Sequence, residues 1–215
     1  MPTRRHFISQ LGAGAAASLL DTDELRAGTV AAKTSAWDTS WIDKLKSAEF
    51  RVVFNANEIS DGAAMNYASA FLNDFREVHG TTDAQTRPVI IFRRLGTPMA
   101  FNDAMWEKYA IGEDTKIMDS ATKAPAKRNV FWKARPGGDA GDTIETLNGR
   151  GLISLVCNVA TNNHGRAYAS RFKLDVAAVQ KDLKENLVPG AILVPSGIYA
   201  LIRAQNAGCA WMPGT

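Results

Sequence analysis

Among the side chains of this sequence able to act as nucleophiles, Cys157 stands out by position. It closes the run Gly151-Leu152-Ile153-Ser154-Leu155-Val156-Cys157, which reads as a buried strand. A thiol at a strand end can face a cleft, and its thiolate is the form that attacks. Free cysteine is also among the most buried residue types, so an inert packing role is the competing reading. Arg93 and Arg94 follow a second apolar run, residues 88–92. Their guanidinium groups can hold an anion through paired hydrogen bonds, or simply form surface ion pairs. Ser196 and Gly197 open a helix after a fourth run, residues 190–194. A helix start accepts anions, and serine there also serves as an ordinary cap. Asn158, next to Cys157, and Asn55, at the end of the first run, complete the candidate anion-binding set. Cys209 is the second thiol: a resolving cysteine, a disulfide partner of Cys157, or core.

The elements that must position these residues alternate. Residues 49–54, 88–92, 151–157 and 190–194 read as strands, and residues 209–212 as a last edge strand. Between the first two, Ala64, Ala68, Phe71, Leu72, Phe75 and Val78 fall on one helical stripe. Ser60 or Asp61 is its expected cap and Gly80 its stop. A short helix is expected from Asn102 or Asp103 through Tyr109, and further helices over residues 165–187 and after Ser196. Such alternation predicts a three-layer α/β/α domain with a mostly parallel sheet of about five strands. In a parallel sheet all carboxyl ends share one edge, where ligands bind. That edge gathers Asn55, Arg93, Arg94, Cys157, Asn158, Ser196 and Gly197. Residues 119–149, rich in Pro and Gly, read as a long surface loop anchored by Val130, Phe131 and Trp132.

Composition narrows the function classes. The chain has 215 residues, 46% hydrophobic and 22% charged, with a net charge of +3. That charge is scattered and does not argue for nucleic-acid binding. Two cysteines cannot build a disulfide scaffold. His6, His79 and His164 lie too far apart for metal-ligand spacing. The first strand ends in Asn55-Ala56-Asn57-Glu58, without a glycine-rich nucleotide loop. There is neither a G-x-S-x-G elbow nor a C-x-x-C pair. No cofactor is therefore expected.

The amino terminus, Met-Pro-Thr-Arg-Arg-His-Phe-Ile-Ser followed by a short apolar stretch, has the layout of a twin-arginine export signal. The expected organisation is a leader over residues 1–32, a linker over 33–48 and one domain over 49–215. The protein is thus expected to be periplasmic or otherwise exported. No segment is long enough for a membrane span.

Three segments carry a resemblance to a known family: Leu155-Val156-Cys157-Asn158, then residues 187–197 (LVPGAILVPSG), then residues 201–210 (LIRAQNAGCA). Together with residues 97–109 (TPMAFNDAMWEKY) they resemble the DsrE/DsrF-like family, in a branch with twin-arginine leaders. The likeness covers most of residues 50–212. It implies a five-stranded parallel sheet and homo-oligomers, often trimers or hexamers. It also implies that a cysteine at the position of Cys157 carries persulfide sulfur. Two positions depart from that branch: Arg94 stands where it has histidine, and Trp211-Met212-Pro213 where an aromatic ending with another cysteine is expected. The resemblance points to an exported protein that carries or transfers sulfane sulfur, meeting a small sulfur-containing anion or a sulfur donor or acceptor protein. A non-catalytic ligand-binding or assembly module of the same fold is the alternative. A redox switch through a Cys157–Cys209 disulfide is a third reading.

Overall fold

The structure, a computed structural model, describes residues 36–134 and 142–215; the expected leader, residues 1–32, lies outside them. The apolar runs become strands β1 (Phe50–Ala56), β2 (Thr86–Phe92), β3 (Ile153–Cys157) and β4 (Ile192–Val194), joined by β5 (Ala210–Pro213). All neighbours pair in parallel, in the order β4-β3-β2-β1-β5. Val89, Ile90, Ile91 and Phe92 of β2 are fully buried. A strand covered on both faces has no polar side to alternate with, which is why this stretch is continuously apolar.

The helices are α1 (Ser40–Lys46), α2 (Ala63–His79), α3 (Asp103–Lys108), α4 (Ile111–Thr115), α5 (Ile144–Gly149), α6 (Asn158–Phe172), α7 (Val176–Glu185) and α8 (Gly197–Asn206). They cover both faces of the sheet. On one face Ala64, Met65, Ala68 and Leu72 of α2, with Ile144 and Leu147 of α5, pack on Phe54, Ile90, Phe92 and Val156. On the other, Trp41, Ile42 and Leu45 of α1, with Ala200 and Ala204 of α8, pack on Val53, Val89, Ile91, Leu155 and Val194. Successive strand residues point to opposite faces, so Phe54 and Val53 serve different clusters. Trp106, Tyr109, Tyr168 and Leu183 form a third cluster among α3, α6 and α7, joined to the first through Phe131 and Leu187.

The order of strands explains where a cleft opens. From β1 to β4 the chain steps across the sheet in one direction; from β4 it returns through α8 to β5, beside β1. Right-handed crossovers taken in opposite directions lay their helices on opposite faces. The chain leaves β3 for α6 on one side and β4 for α8 on the other. The carboxyl ends of β3 and β4 therefore part, and a crevice forms at such a switch point.

Several local expectations are revised. Within the expected linker, α1 buries Trp41 and Leu45 completely. A helix of seven residues shows too little of its period to be recognised. Ser60 and Asp61 do not cap α2: both adopt left-handed backbone in a 3₁₀ turn, and Gly62 stands at the cap without a side-chain bond. Residues 119–149 are not loop throughout, because Thr143 caps α5 by accepting from Thr146 N. The long excursion is fastened by Asn129, which is fully buried. Its Nδ2 donates to the carbonyls of Met99 and Phe101, both at 2.7 Å, and its Oδ1 accepts from Phe131 N at 2.9 Å. Gly80 does end α2 in left-handed backbone, and Asn102 caps α3. Among the described residues no helix is long and apolar enough to cross a membrane.

Candidate functional site

Cys157 is the last residue of β3 and also the N-cap of α6, with no loop between them. Its Sγ accepts the Ala160 amide at 3.4 Å, and its own carbonyl accepts from Thr161 Oγ1 at 3.0 Å. The sulfur thus sits against the free amides and the positive dipole end of a 15-residue helix. The side chain is only 6% exposed, yet it lines a cleft of about 580 Å³ at the parting of β3 and β4.

Arg93, Arg94, Ser196 and Gly197 line the same cleft. Arg93 continues from β2 in extended backbone, its amide donating to the Ala56 carbonyl. Arg94 then turns with φ +49° and begins the 3₁₀ segment Arg94–Ala100. A non-glycine residue in left-handed backbone is held there by its surroundings, and such positions cluster at functional sites. Part of the hold comes from Gly96, where a Cβ would lie 2.4 Å from the Ala56 carbonyl oxygen; only glycine lets the turn seat on the end of β1. Among the described residues neither Arg93 nor Arg94 has an acidic ion-pair partner. Ser196 caps α8, accepting from Tyr199 N at 3.0 Å. Gly197 lies under the stem of Arg93: a Cβ there would stand 2.8 Å from Arg93 Cδ.

His164 also lines the cleft, a residue not singled out from sequence. It stands seven positions after Cys157, two turns along α6 and on the same helical face. Its Nε2 is 2.8 Å from the Arg94 carbonyl oxygen. A carbonyl only accepts, so Nε2 carries the proton and donates. Burial holds the imidazole below its ordinary pKa, only partly offset by the Arg94 carbonyl and by Asp114. Asp114 is at the cleft edge as well, paired with Arg171 at 3.5 Å. Leu95, Val159, Ala160, Ala167 and Ile198 supply apolar wall.

Three sequence candidates fall outside the cleft. Asn158 is next to Cys157 but does not line the cleft, and its Oδ1 is buried without a hydrogen-bond partner among the described residues. Asn55 shares the carboxyl edge, yet β2 lies between β1 and β3, so it is roughly 10 Å across the sheet. Its carbonyl instead fastens the chain end, accepting from Asn57 N and Gly214 N. Cys209 lies at the opposite edge. It precedes the Val52–Ala210 pair, level with Gly151 through the registers of β1, β2 and β3. Cys157 is six residues further, about 20 Å along the strands, and three strand spacings away. A disulfide needs Cα atoms within about 7 Å. Both cysteines are free, and the disulfide reading is overturned. Burial also pushes the Cys209 thiol up to about 11, which makes it a core thiol rather than a resolving one.

Among the described residues no group of three or more His, Cys, Asp or Glu side chains is arranged to hold a metal ion. No protein-family model matches the chain, and no curated protein does. One solved structure superposes on it, a protein of unknown function from Methanobacterium thermoautotrophicum. The TM-score is 0.40 at 16% identity, over 76% of this chain and 98% of that one. A likeness of that degree carries no argument about the site.

Proposed function

We propose that the protein carries or transfers sulfane sulfur on Cys157. The observation that carries this reading is the seat of the sulfur. Sγ caps α6, accepts the Ala160 amide, and lines a cleft beside two arginines that have no acidic ion-pair partner among the described residues. Arg93 and Arg94 draw in an anionic donor bearing a terminal sulfane sulfur, R–S–SH or its anion. The Cys157 thiolate attacks that outer sulfur. The donor S–S bond breaks, the Sγ–S bond forms, and the donor leaves as R–S⁻ with the electron pair of the broken bond. No net oxidation occurs. The negative persulfide is stabilised by the amides that open α6. Delivery is the same exchange in reverse, with an acceptor thiolate attacking the outer sulfur. The sequence resemblance to the DsrE/DsrF-like family supports the reading, since a cysteine at this position bears sulfur there.

Intact-mass measurement after incubation with inorganic polysulfide tests the proposal. Reduced wild type is expected to gain sulfur and Cys157→Ser to gain none. An accessible, reduced Cys157 that takes no sulfur would overturn it. The apolar walls of the cleft favour a second reading, a ligand-binding module without sulfur chemistry, which would then stand in front.

A further inference from the structure

The Cys157 cleft is larger and more apolar than an inorganic sulfur species requires. Its volume of about 580 Å³ lies in the range of roughly 300–1,000 Å³ that accommodates organic ligands. An anion of a few heavy atoms, seated between Arg93, Arg94 and Cys157, would leave most of that space to the apolar wall. That wall carries the second observation. Leu95, Val159 and Ile198 line the cleft and are 57%, 53% and 60% exposed. They come from three separate elements: the turn after β2, the first turn of α6 and the first turn of α8. Each stands within two residues of a polar group of the site, namely Arg94, Cys157 and Ser196. Apolar side chains of this size, left in water around a single cleft, gain by covering a ligand. The charge at the rim is net positive: Asp114 is paired with Arg171, while Arg93 and Arg94 are not paired with any acid among the described residues.

We infer that the cleft takes an organic persulfide with an apolar body of several carbons, its anionic terminal sulfur at Arg93 and Arg94 and its body on Leu95, Val159 and Ile198. This deepens the sulfur-carrying reading and rests on it for the identity of the head group. The exchange step is unchanged: the outer sulfur passes to Cys157 and the organic thiolate leaves.

The test uses Cys157→Ser protein, which cannot take up sulfur, and alkyl thiosulfates R–S–SO₃⁻ from methyl to hexyl as stable anionic stand-ins for the persulfides, with binding read by titration calorimetry. The dissociation constant is expected to fall about two- to fourfold per added methylene while the wall is being covered. Adding Leu95→Asn and Ile198→Asn should flatten that trend while leaving the methyl member unchanged. Both residues are surface-exposed, so the fold tolerates the change, and the melting temperature checks it. Adding Arg93→Ala should weaken every member by the same factor. Equal affinity for methyl and hexyl, no binding of any member, or a trend that survives both asparagines would overturn the inference. Equal affinity would also point to a protein partner that brings its own apolar surface. The two readings fail separately. Wild type that takes sulfur from inorganic polysulfide but shows a flat series keeps sulfur carriage and loses the organic ligand. A steep series on a thiol that takes no sulfur does the reverse.

Discussion

Replacing Gly197 with alanine should damage the site without damaging the fold. The new Cβ would stand 2.8 Å from Arg93 Cδ, 3.1 Å from its Cβ and 3.3 Å from its Nε. Those are side-chain atoms, so Arg93 can rotate off the helix start, at about 0.5–1.5 kcal/mol for a poorer rotamer. Alanine in a helix offsets part of this, by up to about 1 kcal/mol. Net stability should therefore change by no more than about 1 kcal/mol. Anion attraction should change more, because a hydrogen bond to a charged group contributes about 1.5–3 kcal/mol. At a partly solvated arginine the lower end applies, roughly tenfold in relative rate. The assay compares alkylation of Cys157 by iodoacetate and by iodoacetamide, read on the Cys157 peptide by mass. The reagents share size and leaving group and differ in charge. The iodoacetate-to-iodoacetamide ratio should fall about tenfold in Gly197→Ala and in Arg93→Ala. The double variant should lose no more than either, since both act through one side chain. An unchanged ratio in Gly197→Ala, a fully additive double variant, or an unfolded Gly197→Ala chain would each refute the reasoning.

Three further outcomes are expected. His164→Gln should remove a pH dependence of stability: with the folded pKa below the ordinary imidazole value, stability is complete above about pH 6.5 and declines as pH falls below it. Urea titrations at pH 7.5 and 5.5 should differ in wild type and agree in the variant, apart from the carboxylates common to both. Cys209→Ala should remove an alkaline dependence. The unfolded thiol ionises near 9 and the folded one near 11, so wild-type stability declines as pH rises through that window, and melting curves at pH 8 to 11 should be flatter for the variant. Trp41→Ala should cost about 3–5 kcal/mol, as for a fully buried aromatic; a urea midpoint that scarcely moves would mean that α1 is not integral to the domain.

Val89 to Phe92 of β2, buried on both faces, announce themselves as a continuous apolar run, and β1, β3 and β4 are legible as short apolar runs with few polar interruptions. The carboxyl edge was legible from chain direction alone, which brought Arg93, Arg94, Cys157, Ser196 and Gly197 to one rim. Which of those residues become neighbours depends on strand order, a property of tertiary packing that local patterns do not encode. Asn55 was therefore included although β2 intervenes. A bond between Cys157 and Cys209 also stayed open until register put them at opposite ends. His164 became visible only because α6 starts immediately at Asn158, which fixes it two turns above the thiol. The role of Asn129 needed the fold as well: a buried amide looks like any loop asparagine until the carbonyls that it ties together are brought to it.

The return of the chain through α8 has a consequence for how the sheet is completed. If strands are added in chain order, β2, β3 and β4 each join the growing side, while the outer edge of β1 waits. Its unpaired amides and carbonyls find a partner only when residues 210–213 arrive, the last of the described strands in chain order. Until then that edge is a template on which another chain could pair. The short β5, ending in a proline that withholds an amide donor, closes the opening and extends it little further. Without residues 210–213 that edge would lie open to another strand, and the turn back across the sheet is what covers it.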